Sequence, residues 1–505
     1  MAPQSADFDL FDADYALAPQ DGPYGILLPS QWYSERNPGL SGAGYATCPI
    51  SFQPETGSVS TPVLRSLQRF LSPSSLRRFP SNGNASDQNV DDMWTYHKYI
   101  PYTSSTSSGN YDHIYAYGEP VSAGEYALRA QLVQYQQYRA LFEGFRLHQW
   151  SFYTAVLMWK SQSPWPSLRG ALYDYYLAAT GGYFGVRAAL SSEVVYSTAL
   201  AISSSLECGP EAEEGAGSAA GRFSFGLHVQ LNPATLAVSL VNSLPCASSR
   251  AEVRTTVVAL NGSILFSSTQ VLPEPLAALE VFTFPKSLPV PKENVEGDAR
   301  SPVYLYRLEL FSDEVSDRSW PGSLCDSLPA HLDKPYLLQI NDYYLSANTL
   351  PNEEGQSSEG EGPDYRLLGD VRNQNDRYIH LEDVRAICLN HSITVGRELK
   401  NRLQSRAIDL FLTNSATNSL AIGVSATLLT AIEEGTGSGS TADDRVLPSF
   451  YSDGFFTLLP GQQTTVHIEF GEVWDSNRTD SDRDRQLYVL VEGWNVHSQV
   501  IPVFC

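Results

Sequence analysis

The stretch PETGSVSTPVLRSLQRFL, residues 54–71, decides how this chain is read. Glu55 stands in a turn rich in Gly, Ser and Thr, just ahead of a helix signal. Thr61 suits an N-cap and Pro62 the first helical position: a hydroxyl accepts an orphan N–H of the first turn, and proline has no N–H to orphan. Val63, Leu64, Leu67, Phe70 and Leu71 then recur at helical spacing. Upstream, 45–52 reads as a short strand. A carboxylate between a strand and the next helix is where closed α/β barrels place their chemistry. A Glu near a helix start also complements the helix dipole without doing chemistry.

Working outward, 20–190 alternates short apolar runs with amphipathic ones. Ser122 and Glu125 form a capping-box pattern. Leu128, Leu132, Tyr135, Tyr138, Phe142 and Phe145 make one apolar stripe, which predicts a helix over 122–149. Thr154–Trp159 is an apolar run of strand length, followed by a Pro-rich loop carrying Trp165, then a helix-like run with Leu172, Tyr176 and Leu177 on one face. Arg139 and Glu143 stand at i, i+4 and read as an intrahelical ion pair. Strand, loop and helix in repeated order is an α/β pattern. A closed eight-unit barrel takes about 250 residues, so 1–190 supplies a partial one, the C-terminal half of a (β/α)8 TIM barrel.

From 228 the pattern changes to short alternating runs such as HVQLNPATLAVSLVNSL and PVYLYRLELFS, separated by turn residues. Residues 228–350 read as one β-sandwich and 380–505 as a second. The span 191–227 is a connector to which no chemistry is assigned. The span 351–379 is an acidic, Gly/Ser-rich linker, and 433–444 reads as a disordered loop.

The chain has 505 residues, 33 basic and 56 acidic, for a formal charge of −23. That balance argues against nucleic acid or an anionic membrane surface as partner and favours a soluble protein with a neutral or cationic ligand. No apolar run approaches the roughly 20 residues that span a bilayer. Residues 1–17 lack a basic residue and an apolar core, so they do not read as a signal peptide. The compartment is left open. Cys48, Cys208, Cys246, Cys325, Cys388 and Cys505 are far apart, against a zinc site or a disulfide framework. Sequons occur at Asn84, Asn261, Asn390 and Asn477. Nine scattered histidines offer no HExxH, and neither a P-loop nor a GxSxG elbow occurs. No metal and no cofactor is expected. TGGYFG, 180–185, reads as a turn or packing motif.

Eight segments, in order, resemble glycoside hydrolase family 2, in its C-terminal part: DGPYGI (21–26), PETGSVSTP (54–62), WTYHKYIPY (94–102), RAQLVQYQQYRALFEG (129–144), LMWKSQSPWPSLRGALYDYYL (157–177), GGYFG (181–185), HVQLN (228–232) and LPSFYSDGFFTLLPG (447–461). Within the family the likeness is to glycoprotein endo-β-mannosidases and to exo-β-D-glucosaminidases. The resemblance implies a retaining glycosidase, with an incomplete barrel followed by two immunoglobulin-like sandwiches. The second resembles the Ig-like domain that ends exo-β-D-glucosaminidases. It makes Glu55 the nucleophile, in Gln53-Pro54-Glu55 where the family has Asn-Pro-Glu. The family's acid/base Glu follows an Asn on an earlier barrel strand. No such pair precedes Glu55 here, and Asn352-Glu353 lies in the acidic linker, so the chain reads as truncated and without its acid/base.

For substrate contact the resemblance points to Trp159 and Trp165, whose rings suit the apolar C–H face of a pyranose, and to Lys160 for a hydroxyl. Trp94 and His97 would rim the same pocket. Each has a plainer reading, as core aromatics, a solvated Lys or a structural His. The implied partner is an oligosaccharide or a glycoprotein N-glycan, with Man-β-1,4-GlcNAc as the linkage. The alternatives are a non-catalytic carbohydrate-binding or scaffold fragment, and an exo-β-D-glucosaminidase.

Overall fold

The computed structural model describes residues 28–33, 52–57, 60–80, 91–99, 113–150, 153, 155–168, 171–190, 227–243, 248, 250–291, 300–312, 336–352, 362–373, 378–394, 404–430, 444–471 and 486–504. The chain divides into two compact units. The larger takes in residues 1–192, 225–259 and 264–370; the other takes in 371–505 with 193–224 and 260–263. The segment 21–26, the connector 191–226 and most of the loop 433–444 fall outside the described residues.

The larger unit opens with helix α1 (Pro29–Trp32), strand β1 (Phe52–Thr56) and helices α2 (Leu64–Phe70), α3 (Pro73–Arg77) and α4 (Asp92–Tyr96). The long helix α5 (Ala123–Leu147), strand β2 (Ala155–Met158) and helix α6 (Gly181–Leu190) follow. β1 and β2 pair in parallel, Phe52 opposite Ala155 and Thr56 opposite Met158, with an irregularity between Gln53 and Thr56. Parallel strands are normally covered on both faces, yet Leu157 of β2 is 53% exposed.

α5 starts where its sequence says it should. Ser122 Oγ accepts the Glu125 N–H at 3.2 Å, and Glu125 reaches back to the N–H of Val121 at 3.0 Å. Its surroundings are less simple than an apolar stripe. Arg129, Gln131, Gln134, Gln137 and Arg139 are buried while Leu128 and Leu132 are only partly so. α6 lies close against it: a Cβ on Gly181 or Gly185 would strike the backbone oxygen of Gln131 or Tyr135. TGGYFG is thus a packing motif, and its glycines permit the helix–helix approach.

Two local expectations fail for identifiable reasons. α2 begins at Leu64 behind Val63, with no side-chain cap. Thr61 is buried instead, and its carbonyl accepts from Gln131 Nε2 (2.8 Å) and Gln134 Nε2 (3.1 Å). The run 172–177 forms turns, not a helix. Asp174 Oδ1 accepts the N–H groups of Tyr176 (2.9 Å) and Ala178 (3.0 Å), the local bonding by which Asp competes with helix. Leu177 then takes φ +71°.

The sandwich of this unit holds β3 (Leu227–Leu231), β4 (Val238–Asn242), β5 (Ala251–Ala259), β6 (Ile264–Val271), β7 (Val281–Thr283), β8 (Val303–Ser312) and β9 (Tyr336–Ser346). The sheets run β3-β4-β7 and β6-β5-β8-β9. Val229, Leu231, Val238 and Leu240 from one and Val253, Val257, Tyr306, Leu308 and Leu310 from the other form one buried core. Helix α7 (Arg366–Asn373) follows. It occupies part of the span read as a linker, and Leu368 and Val371 on it are buried.

A buried carboxylate joins α5 to this sandwich. Glu143 is fully buried and accepts from Tyr33 Oη, His228 Nε2 at 3.2 Å, Asn341 Nδ2 at 2.7 Å and Tyr343 Oη at 2.9 Å. The His228 tautomer follows from its neighbours. Gln339 Oε1 accepts the Val229 N–H at 2.9 Å, so its amide nitrogen donates to His228 Nδ1 at 2.9 Å and Nε2 carries the proton. Burial alone would raise the Glu143 pKa; the His228 hydrogen bond and the Arg139 charge outweigh it and hold the carboxyl below its ordinary 4.5. The intrahelical ion pair read from sequence gives way to this arrangement. The Arg139 guanidinium donates to Asn341 Oδ1 and to the Asp342 carbonyl and lies 3.9 Å from the Tyr343 ring centroid.

The second unit holds β10 (Glu382–Thr394), β11 (Gln404–Thr413), β12 (Ala421–Leu429), β13 (Ser449–Tyr451), β14 (Phe456–Leu458), β15 (Gln463–Gly471), β16 (Tyr488–Glu492) and β17 (Gln499–Phe504). They are hydrogen-bonded in the order β13-β15-β11-β10-β17-β16-β12-β14. Cys388 in β10 is disulfide-bonded, which the wide cysteine spacing did not suggest.

Candidate active site

Glu55 lies within β1, one residue before its end, not in the turn beyond it. It sits at the irregularity in the β1–β2 register, next to Pro54, which has no N–H to give to a ladder. Its side chain is half-buried. Thr56 is fully buried, and its carbonyl accepts the Trp159 N–H at 2.8 Å. That bond places the segment after β2 against the carboxyl end of β1. A Cβ at Gly57 would strike the Trp159 backbone oxygen, so only glycine permits the approach. Trp159 and Lys160 are half-buried, with Lys160 Nζ 4.7 Å from the Trp159 ring centroid.

The loop carrying Trp165 is tied down from two sides. The carbonyls of Lys160 and Ser161 accept the N–H groups of Leu172 (3.2 Å) and Tyr173 (2.8 Å). Just past α4, the His97 carbonyl accepts the Leu168 N–H at 2.8 Å, and His97 Nδ1 lies 2.7 Å from the Pro166 carbonyl. A carbonyl can only accept, so Nδ1 carries a proton. The His97 ring stacks on Trp165 at 5.6 Å and 26°, and Tyr96 meets Trp165 edge-on at 5.9 Å. Tyr96 is 66% exposed, giving the loop an open aromatic rim. His97 itself is buried; its described contacts hold the loop.

Trp94 corrects the sequence reading. It is fully buried, its indole N–H donates to the Ser75 carbonyl at 2.9 Å, and Tyr99 and Tyr126 pack edge-on against it. A ring with its only donor satisfied inside the core is not available to a sugar. Sequence reasoning also passed over the groups that set the Glu55 loop. Ser60 Oγ accepts the Ala171 N–H at 2.9 Å, while Gln131 holds both the Thr61 carbonyl and, through Oε1, the Gly181 N–H at 2.8 Å. Glutamines at i, i+3 on a helix otherwise destined for burial were the available signal. Among the described residues no group of three or more His, Cys, Asp or Glu is placed to hold a metal ion, and no helix is long and apolar enough to cross a membrane.

Comparison with known proteins gives the class: the chain is similar in sequence and fold to glycoside hydrolases of family 2 type. Residues 373–496 match the exo-β-D-glucosaminidase Ig-fold domain. Mannosylglycoprotein endo-β-mannosidase of Lilium longiflorum is 27% identical over 475 residues, 89% of this chain and 42% of that protein. Exo-β-D-glucosaminidase of Streptomyces avermitilis is 24% identical over 507 residues, 95% of this chain and 42% of that protein. The chain therefore spans less than half the length of these relatives. Its fold resembles Amycolatopsis orientalis exo-chitosanase CsxA with a TM-score of 0.60 at 21% identity, over 95% of this chain and 45% of that one.

Proposed function

We propose that this chain is the nucleophile-bearing part of a retaining β-glycosidase. β1 and β2 are neighbouring strands of an incomplete (β/α) barrel, and Glu55 is the nucleophile. One observation carries the reading: Glu55 and the Trp159–Trp165 segment stand together at the carboxyl end of two adjacent parallel strands, the end that bears the chemistry in such barrels. A Glu55 carboxylate oxygen would attack the anomeric carbon as the glycosidic C–O bond breaks, giving a covalent glycosyl ester that water later hydrolyses. A second carboxyl about 5–5.5 Å away must protonate the leaving oxygen and then activate the water; no residue is assigned to that role. Trp159 and Trp165 would stack on the sugar face, and Lys160 would meet a hydroxyl.

The substrate we propose is a β-mannoside, with Man-β-1,4-GlcNAc of an N-glycan core as the linkage. The lily relative, which matches 89% of the chain, favours it. The Ig-fold match over 373–496 supports the second reading, a β-D-glucosaminide. The test is covalent labelling with fluorinated β-mannosides and β-glucosaminides bearing an activated leaving group. Such a group departs without acid assistance, so the first step does not need the second carboxyl. A sugar adduct on the Glu55 peptide is expected, with the mannoside reacting faster. A folded chain with no adduct from either sugar overturns the enzymatic reading and leaves a carbohydrate-binding fragment.

A further inference from the structure

The hairpin joining β5 to β6 plays no part in that chemistry. β5 ends at Ala259 and β6 begins at Ile264, with Val258 opposite Ile264. Leu260, Asn261, Gly262 and Ser263 turn the chain, and Gly262 takes φ +81°, a left-handed conformation that costs glycine little. Asn261 and Ser263 are exposed. The Ser263 N–H and hydroxyl both donate to Asn261 Oδ1, at 3.0 and 2.7 Å. These bonds engage the amide oxygen and leave out the nitrogen, Nδ2, to which a glycan attaches.

Asn261-Gly262-Ser263 satisfies the acceptor rule for N-glycosylation, which calls for an Asn on an exposed loop. Of the other sequons, Asn390 falls within strand β10, and Asn84 and Asn477 lie outside the described residues. A second observation concerns the compartment. Cys388 is disulfide-bonded, and disulfides form and persist in the oxidising lumen in which N-glycans are also added.

We infer that Asn261 carries an N-linked glycan. The donor is a polyprenyl-pyrophosphate-linked oligosaccharide. Nδ2 forms a bond to the anomeric carbon of its first sugar, the bond from that carbon to the pyrophosphate oxygen breaks, the lipid pyrophosphate leaves, and the amide gives one proton to a base of the transferase. Nothing is oxidised or reduced. The inference requires that the protein enters the secretory pathway, where the transferase acts.

The test is peptide mapping of the protein purified from its source cells. Trypsin releases Thr255–Lys286, which contains one sequon. Peptide N-glycosidase in heavy-oxygen water should convert Asn261 to an isotopically marked Asp, with the unmodified peptide scarce before treatment. Ser263→Ala should restore the unmodified mass and Ser263→Thr should keep the glycan; both substitutions are at an exposed position and spare the core. Recovery of Thr255–Lys286 mainly unmodified before treatment overturns the inference, whatever the state of Cys388.

Discussion

Replacing Glu143 with Gln tests whether one buried carboxylate organises the larger unit. Four donors converge on it: Tyr33, His228, Asn341 and Tyr343. A Gln Oε1 has two lone pairs, so at least two donors lose their partner, and the new NH2 group faces donors. An unsatisfied buried donor costs about 1–3 kcal/mol, and opening a buried charged arrangement costs about 3–5 kcal/mol. A loss of about 4 kcal/mol is the working value. For a unit of roughly 300 residues, unfolding entropy of about 2.1 cal/mol/K per residue turns that into a fall in Tm of about 6 °C. Differential scanning calorimetry reads the transition directly. The pH dependence supplies a second check. The folded-state pKa is depressed, so the carboxylate's contribution is complete above the ordinary 4.5 and is lost as pH falls through the folded value. The difference between wild type and variant should therefore shrink on acidification. A Tm within about 1 °C of wild type, less than about 1 kcal/mol on the same scale, or a difference that widens in acid, would refute the argument.

Other outcomes follow from the same geometry. Glu55→Gln should abolish adduct formation, and in any active parent should cut turnover by several orders of magnitude with circular dichroism unchanged; near-normal turnover removes Glu55 from the mechanism. Gly57→Ala forces a Cβ into the Trp159 carbonyl; it should cost about 1–3 kcal/mol in urea unfolding and slow labelling of Glu55, and an unchanged labelling rate would separate the two strand ends functionally. In the second unit, burial opposes protonation of His467, but bonds to Asp409 at 2.8 Å and Glu469 at 3.4 Å raise its pKa to about 9. Its folded-state pKa is raised, so the stabilisation is complete below 6.5 and fades as pH rises through about 9. Urea midpoints at neutral and alkaline pH, compared with His467→Gln, should show a gap that closes in alkali.

The sequence was readable where cause is local. The extent of α5 follows from its period and from Ser122 and Glu125, and β2 from an unbroken apolar run. The runs between 227 and 346 form two packed sheets, and along β5 alternate residues from Ala251 to Val257 face the core, as period two requires. The site was readable only as a neighbourhood. That Trp159 meets the end of β1 depends on a parallel pairing between residues about a hundred apart, which no window records. Trp94 was misplaced because an aromatic in a polar stretch looks the same whether its N–H meets solvent or Ser75. The 172–177 run misled because its apolar spacing is helical while Asp174, inside it, ties up the backbone. The carboxylate of Glu143 looked like half of a helical pair, since three of its four partners come from strands 85 to 200 residues away and the fourth, Tyr33, from the end of α1.

The seam between α5, α6 and the first sandwich is polar and specific. Arg146 donates to Ser243 Oγ at 2.9 Å, Gln149 donates to the Asn242 carbonyl at 2.9 Å, and Gln339 donates to the Ala188 carbonyl at 3.3 Å. Cutting the chain between these segments would strand donors and acceptors on both fragments. The sandwich is therefore not a portable module in the way a linker-flanked domain is. Natural recombination or laboratory domain grafting that moves it alone would have to re-solve the seam, so the two parts should be inherited as one piece.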